Sequence, residues 1–184
     1  WGPVRVFRNE RGAFMEITRD LGLESLVGWW NGVAAGDFDG DGRLDLVASN
    51  WGLNSRYQAT LKRPRVLRYG DLDGNGVVDI VESYFDGSSD KEVPERWRHV
   101  IGLALPSVAQ NISSHEAYGQ MSVRDIYGDA LEKTMRIEAN TLASTLFLNR
   151  GNRFTAIPLP VEAQWAPAFG LSVGDNLEFI RRYY

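Results

Sequence analysis

The chain has 184 residues, a net charge of −4 and no cysteine. Its length allows a sizeable core, and 43% hydrophobic with 11% aromatic residues indicates a globular chain. The lack of cysteine excludes disulfides, thiolate metal sites and a cysteine nucleophile. The sequence has no basic stripe of the kind that binds nucleic acid. It also has no apolar run that approaches the roughly 20 residues needed to span a membrane. Because the first residue is Trp1 rather than Met, we expect a processed or excised chain.

A repeated unit organises the chain. Its first part is a predicted hairpin, in which an apolar strand ending in Asn leads through a glycine-containing turn to a Phe five residues after the Asn. Its second part is a short strand that runs into Gly-Asp. The hairpins are Val6–Asn9 with Phe14 and Phe147–Asn149 with Phe154, and the Gly-Asp strands are Val33–Asp37, Leu67–Asp71 and Leu171–Asp175. Such a repeat of short strands and glycine-rich turns predicts an all-β architecture.

Two acidic loops are the most informative motifs. Loop one is Asp37-Phe-Asp39-Gly-Asp41-Gly-Arg43-Leu-Asp45, and loop two is Asp71-Leu-Asp73-Gly-Asn75-Gly-Val77-Val-Asp79. Side-chain oxygens at positions 1, 3, 5 and 9 and glycine at position 6 are typical of a chain that curls around calcium, which takes six to eight oxygens at about 2.3–2.6 Å. The apolar residues after each loop predict a second strand, so each loop would join two strands.

The stretch between Asp86 and Thr145 differs, because its apolar residues carry helical rather than alternating spacing. We expect a helical insertion near residues 107–135. The segments 114–121 and 123–127 read as helices, and Asp129 would cap a third helix over Ala130–Met135.

The sequence 36–46, the sequence 70–80 and the Asn149–Phe154 hairpin resemble the calcium-binding β-propeller repeats of the FG-GAP/VCBS type, of which integrin α-subunit propellers are relatives. The stretch 145–164 is similar to bacterial secreted members. The resemblance implies two calcium sites, with backbone carbonyls of Arg43 and Val77 as additional ligands. The implied side-chain ligands are Asp37, Asp39, Asp41, Asp45, Asp71, Asp73, Asn75 and Asp79.

The expected fold is therefore all-β, a partial propeller of FG-GAP-type blades with a helical insertion. We expect one domain over 1–184, with blades at 1–86, the insertion at 87–144 and an incomplete blade at 145–184. The third Gly-Asp lacks acids at positions 3, 5 and 9, so it should bind no calcium. A propeller needs about four to eight blades, and this chain holds about three. Exposed blade edges would then favour self-association.

Loop two also matches an EF-hand pattern, since Glu82 stands at its position 12. Loop one does not, because Ala48 occupies that position. An EF-hand needs flanking helices, whereas the residues before loop two are strand-like. We therefore favour a propeller loop and interpret Glu82 as a solvated side chain, with a dockerin-like tether as the alternative.

No catalytic constellation is evident. Gly170–Gly174 matches the nucleophile-elbow pattern around Ser172, but no histidine follows it, as that fold would require. His99 and His115 lack supporting carboxylates and read as surface residues. The tripeptide Asn111–Ser113 is a glycosylation sequon only if the protein is a eukaryotic secreted one.

Three tryptophans flank loop one: Trp29, Trp30 and Trp51. They are either an aromatic platform for a sugar or protein partner, or packing between neighbouring blades. We favour packing.

We expect a non-catalytic, calcium-binding recognition or scaffold module of a secreted, periplasmic or cell-surface protein, with a protein or glycan partner. The alternative is a fragment of a calcium-dependent enzyme acting on polysaccharide, for which Glu132 with Glu138, or Asp125 with Asp129, would be the paired acids. Counting carboxylates, loop one should bind calcium more tightly than loop two.

Overall fold

The computed structural model describes residues 1–174, apart from the side chain of Ala109, and shows mostly β-structure in several antiparallel sheets. The strands are β1 (Gly2–Pro3), β2 (Phe7–Glu10), β3 (Ala13–Glu16), β4 (Val27–Gly28), β5 (Gly32–Gly36), β6 (Asp45–Ser49), β7 (Arg65–Gly70), β8 (Asp79–Phe85), β9 (Glu92–Pro94), β10 (Met135–Ala139), β11 (Thr145–Asn149) and β12 (Phe154–Pro158). The helices are α1 (Arg98–Ala104), α2 (Pro106–Gln110), α3 (His115–Gln120) and α4 (Val123–Tyr127), with 3₁₀ helices at Gly128–Lys133 and Val161–Gln164.

The chain divides into two compact units. Unit one comprises Trp1–Arg56 with the described part of Leu142–Tyr184, and unit two comprises Tyr57–Thr141. Unit two therefore lies, in sequence, between β6 and β11 of unit one. The two segments of unit one meet near the points where the chain leaves it and returns to it. There the Gly52 N–H donates to the Leu142 carbonyl at 2.8 Å.

Unit one contains a four-stranded antiparallel sheet in the order β12-β11-β6-β5. Along the chain this is an up-and-down arrangement, interrupted only by the sequence of unit two. The predicted hairpins are confirmed: β2 pairs with β3 and β11 with β12, with Asn9 opposite Phe14 and Asn149 opposite Phe154. The core of unit one is built from Val4, Leu23, Ala48 and Phe147, with Trp30 and Phe154 packed against it.

Unit two contains a second four-stranded antiparallel sheet, in the order β10-β7-β8-β9. Residues of the sheet and of the helical region pack together in one apolar cluster. Its members are Leu72, Val81, Ile101, Leu105, Val123, Tyr127 and Leu131. Ser114 and Ser122 cap α3 and α4, because their hydroxyls accept the N–H of Ala117 and Asp125.

A buried ion pair joins β7 to the residue after β9. The guanidinium of Arg65 pairs with Glu95, and the two side chains are 4% and 7% exposed. The same guanidinium lies 5.0 Å from the ring centroids of Tyr57 and Tyr84, so two aromatic faces cover the cation. This arrangement holds the open end of the β7–β8 hairpin, and loop two lies at its opposite end.

The structure corrects two sequence expectations. The third helix expected over Ala130–Met135 is a 3₁₀ helix at Gly128–Lys133, and Met135 already begins β10. Asp129 does not cap it; its carboxylate accepts a hydrogen bond from Arg124 at 3.1 Å. The helical region begins at Arg98, earlier than expected. Ile101 of α1 and Leu105, the residue after α1, are buried in the core of unit two and hold this helix in place.

The third Gly-Asp strand is also absent from the described residues, since Leu171–Gly174 forms no sheet pairing and Asp175 lies outside them. Instead this segment packs on the face of the sheet at β5. A Cβ on Gly32 would lie 3.8 Å from Gly170 Cα, and one on Gly36 would lie 2.9 Å from Val173 Cγ1. Because a Cβ projects perpendicular to the sheet, these contacts lie over the face of β5 rather than at its edge. A Cβ on Gly36 would therefore require the Val173 side chain to shift.

Candidate functional site: two acidic β-hairpin loops

Loop one joins β5 to β6. Gly36 pairs with Asp45, so the loop begins and ends at directly opposite residues of the ladder. Gly40 and Gly42 have φ of 75° and 82°, a left-handed conformation that side chains disfavour. The glycines at positions 4 and 6 therefore allow the chain to curl back within nine residues.

Asp37 organises the interior of loop one. Its Oδ1 accepts the N–H of Gly40 at 2.9 Å and of Asp41 at 3.1 Å, and its Oδ2 accepts the N–H of Gly42 at 2.9 Å. Three backbone donors thus converge on the carboxylate at position 1, as in a tight Asx-type turn.

Asp45 anchors the other end of loop one and is fully buried. Its Oδ2 accepts the N–H of Phe38 at 2.9 Å, and its Oδ1 accepts the N–H of Asn149 at 2.7 Å. Asn149 lies on β11, so this carboxylate also links loop one to the neighbouring strand. Burial with both oxygens hydrogen-bonded gives the position-9 carboxylate a fixed orientation.

Loop two joins β7 to β8 and repeats these contacts. Asp71 accepts the N–H of Gly74 at 2.7 Å, Asn75 at 3.0 Å and Gly76 at 2.8 Å, and Asp79 accepts the N–H of Leu72 at 2.9 Å. The N–H of Gly76, followed by those of Gly74 and Asn75, lowers the pKa of Asp71, so this carboxylate is charged at neutral pH. Two distant segments therefore adopt the same hydrogen-bonded loop.

The carboxylates at positions 1, 3 and 9 of each loop converge. One oxygen each from Asp37, Asp39 and Asp45 lies within 4.8 Å of the other two, and Asp71, Asp73 and Asp79 form a second group on the same criterion. Two oxygens that each lie about 2.4 Å from a shared ion are at most about 4.8 Å apart. Each trio therefore meets the spacing condition for sharing one hard cation, and its all-oxygen donors favour calcium, magnesium or manganese over softer metals.

Position 5 behaves differently from the other predicted ligands. The Oδ1 of Asp41 accepts the N–H of Arg43 at 2.9 Å, and the Oδ1 of Asn75 accepts the N–H of Val77 at 2.7 Å. These side chains close their own turns. The roles of Asp41, Asn75 and the carbonyls of Arg43 and Val77 as ligands stay predictions.

Two arginines distinguish loop one, and the sequence analysis missed their role. The guanidinium of Arg150 donates to Asp39 at 2.6 Å and lies 3.7 Å from Asp41, and the guanidinium of Arg43 pairs with Asp41. Arg150 follows β11, more than 100 residues away in sequence, so no local pattern could have indicated it. Its position beside Asp39 depends on the pairing of β11 with β6.

Loop two is not an EF-hand, because strands rather than helices flank it. The Glu82 side chain at position 12 accepts a hydrogen bond from Arg96 at 2.8 Å, so it pairs with a cation instead of being simply solvated. This corrects the interpretation of Glu82 and removes the structural basis for a dockerin-like tether.

The tryptophans beside loop one pack on one another and on the core. The Trp29 ring lies 5.0 Å from Trp1 and 5.5 Å from Trp51 between centroids, and Trp30 lies 5.6 Å from Phe147. Edge-to-face and tilted contacts of this kind stabilise a packed cluster. The geometry favours the packing interpretation over an open platform.

The acidic residues considered as catalytic pairs contact other side chains rather than one another. Asp125 accepts the N–H and hydroxyl of Ser122 as part of the α4 cap, and Glu132 and Asp129 both accept from Arg124. Glu138 pairs with Arg136 on β10. His99 and His115 are exposed.

A cavity of about 680 Å³ in unit two is lined by some of these side chains, together with Arg68, Lys91 and Glu92. The carboxylate of Glu92 accepts hydrogen bonds from Arg68 and from Ser83. Its acids are therefore held by cations or caps, rather than paired with one another across the cavity.

Comparison with known protein families supports a repeat at the start of the chain. Residues 1–48 match the family model of the FG-GAP-like repeat. This range holds the β2–β3 hairpin, β5, loop one and most of β6, which is the repeated unit that the sequence predicts. No curated protein and no solved structure matches the chain. No helix among the described residues is both long and apolar enough to cross a membrane.

Proposed function

We propose that this chain is a non-catalytic recognition or scaffold module of a secreted or cell-surface protein, in which two calcium ions stabilise its β-hairpins. The observation that carries the proposal is the recurrence of one hydrogen-bonded loop in two sheets, each with a carboxylate trio within reach of one ion. The FG-GAP-like repeat at residues 1–48 adds support, because repeats of this kind are typical of extracellular or surface proteins and are typically non-enzymatic.

Calcium would act here as a structural ion. The three carboxylates in each trio repel one another at neutral pH, and a divalent cation among them removes that repulsion. An ion that binds the folded loop stabilises it by linkage. Affinities of about 10⁻⁴–10⁻³ M, which are typical of extracellular calcium modules, would suffice.

The sheet of unit one supports a propeller-type blade. Its order β5-β6-β11-β12 is an up-and-down four-stranded antiparallel sheet, the unit from which propellers are built. The segment 170–174 lies over the face of β5, where a following blade would pack. A rigid stack of such blades would present loops to a protein or glycan partner.

A calcium-dependent enzyme acting on polysaccharide is the second candidate, favoured only by the charged cavity of unit two. It would require Asp125 or Glu132 to act on a bound sugar while engaged with Ser122 and Arg124. An assay of a glycan panel tests it: turnover that is lost in Glu132→Gln with calcium binding intact would displace the recognition module.

Calorimetric titration of metal-stripped protein with calcium, with thermal melting in parallel, tests the first proposal. We expect two sites and a Tm that rises with calcium, with one site lost in Asp39→Ala and the other in Asp73→Ala. The exposed carboxylate of Asp20, remote in sequence from both loops, provides the control Asp20→Ala. Calcium binding that does not raise Tm, or that survives both loop substitutions, would overturn the proposal.

A further inference from the structure

The tripeptide Asn-Gly-Val occurs twice in the chain, at residues 31–33 and 75–77. An Asn before Gly is prone to lose its side-chain nitrogen as ammonia. The backbone nitrogen of the Gly can attack the side-chain amide carbon, because glycine has no Cβ to crowd that nitrogen. Both tripeptides share this chemistry, so a difference between them in the folded chain comes from their surroundings.

Asn31 is held by hydrogen bonds on both sides of the reacting group. Its Nδ2, the nitrogen that would leave, donates to the Ala168 carbonyl at 3.2 Å, and its backbone N–H donates to the Ser49 carbonyl at 3.0 Å. Gly32 lies in β5 opposite Ser49, and a Cβ on it would lie 3.2 Å from Ser49 Oγ. Attack by the Gly32 nitrogen therefore requires a packed peptide at the end of β5 to move and these hydrogen bonds to break.

Asn75 has the opposite surroundings, because it lies at position 5 of loop two. Asn75, Gly76 and Val77 are all exposed, and a Cβ on Gly76 would meet nothing within 4 Å. Within the described part of the chain, Asn75 forms hydrogen bonds through its backbone N–H and its Oδ1, and none through its Nδ2. The nitrogen that would leave is therefore not held.

Two contacts of loop two prepare the reacting atoms. The Val77 N–H donates to Asn75 Oδ1 at 2.7 Å, which polarises the amide carbonyl and stabilises the negative charge that develops on this oxygen during attack. The Gly76 N–H, whose proton must leave, donates to Asp71 Oδ2 at 2.8 Å. The loop thus supplies a donor for the developing oxyanion and an acceptor beside the attacking nitrogen.

We propose that Asn75 deamidates spontaneously in the folded chain, and that Asn31, in the same tripeptide, is protected. The Gly76 nitrogen forms a bond to Asn75 Cγ, and the Cγ–Nδ2 bond breaks. The proton lost by Gly76 leaves with Nδ2 as ammonia, and a cyclic succinimide remains. Water then opens the ring at either of its carbonyls and gives aspartate or isoaspartate at position 75.

The aspartate product fits the contacts of loop two. The equivalent residue of loop one is Asp41, whose Oδ1 accepts the N–H of Arg43 at 2.9 Å, as Asn75 accepts that of Val77. The isoaspartate product instead adds a carbon to the backbone within the loop. The deamidation does not require calcium, and only its effect on ion affinity rests on the proposed function.

Mass spectrometry of the full chain, aged at neutral pH in a calcium-free buffer, compares the two sites directly. Tryptic peptides 20–43 and 69–91 each contain one asparagine, Asn31 in the first and Asn75 in the second. We expect Asn75 to convert about 10- to 100-fold faster than Asn31, the range for one hydrogen bond to a charged group such as the developing oxyanion. In the chain unfolded by urea, where both tripeptides lose their surroundings, the two rates should be similar.

Two variants are matched controls. Asn75→Gln should abolish conversion in peptide 69–91, because the longer side chain would have to close a less favourable ring, and Asn31→Gln should leave the rate at Asn75 unchanged. Isoaspartate among the products identifies the cyclic intermediate.

The proposal is wrong if the folded chain converts both asparagines at similar rates, or converts Asn31 faster. It is also wrong if Asn75 converts only after unfolding or not at all. Products that contain aspartate alone would contradict the cyclic step, because direct hydrolysis of the side chain gives no isoaspartate.

Discussion

At the scale of single residues, the two acidic loops differ in the cations that already face them. In loop one the guanidinium of Arg150 lies 2.6 Å from Asp39, and Arg43 pairs with Asp41. If loop one binds calcium as proposed, these contacts would compete with the ion for the same carboxylates. They change the order of affinity expected from counting acids, and we now expect loop two to bind calcium more tightly than loop one.

Substitution of Arg150 tests this competition. In a chain carrying Asp73→Ala, so that only loop one binds calcium, Arg150→Gln should raise the affinity roughly 1.4- to 5-fold, since a partly exposed ion pair contributes about 0.2–1 kcal/mol. Calorimetry provides the measurement. Arg153→Gln, on the same turn, is the control and should leave the affinity unchanged. A fall in affinity for Arg150→Gln would show that Arg150 supports the loop instead of competing with the ion.

At the scale of elements, the hairpins depend on turn residues in left-handed conformations. Gly151 turns the β11–β12 hairpin at φ of 89°. The turn of β2–β3 is shorter, because Glu10 pairs with Ala13, and it places Arg11 at φ of 55°. A side chain in this region costs about 1–2 kcal/mol relative to glycine. The first hairpin therefore carries strain that the second one avoids.

Gly151→Ala should consequently lower the free energy of unfolding of unit one by about 1–2 kcal/mol, through φ alone, since a Cβ there would meet nothing within 4 Å. Gly170→Ala is the matched control, because Gly170 also has open space but no positive φ. Its effect should lie within about 0.5 kcal/mol. Urea unfolding of both variants gives the comparison, and equal losses would rule out backbone conformation as the cause.

At the scale of the whole molecule, the two loops belong to different compact units. Loop one joins strands of the unit-one sheet, and loop two joins strands of the unit-two sheet. Because an ion stabilises the structure whose unfolding releases it, we expect each calcium ion to protect its own sheet.

Hydrogen exchange on the intact chain measures this local effect. At a calcium concentration about 100 times the dissociation constant, linkage contributes about 2.7 kcal/mol, or roughly 100-fold slower exchange through unfolding of that unit. Asp39→Ala should remove the protection from β5 and β6 only, and Asp73→Ala from β7 and β8 only. Loss of protection in both sheets from either substitution would mean that the units unfold together.

The sequence by itself determined the local features of this protein. The position of both acidic loops between paired strands and the two hairpins were predicted correctly because their contacts lie within about ten residues, while calcium binding by the loops stays a prediction. Asp37 accepts the N–H groups of Gly40 and Gly42, and Asn149 accepts that of Gly151. Such contacts depend on residue type and spacing, which the sequence displays directly. The helices α3 and α4 could be predicted for the same reason, since their apolar spacing and their serine caps involve only nearby residues.

Only the tertiary structure decided what surrounds these features. The pairing of β6 with β11 crosses the whole of unit two in sequence, and it brings Arg150 to Asp39 and Asn149 to Asp45. The same pairing buries Phe147, while Phe7, in an equivalent hairpin, stays exposed. Two segments with one local pattern thus differ in burial, because burial depends on which strand lies alongside, and the spacing of residues within a hairpin does not encode that neighbour.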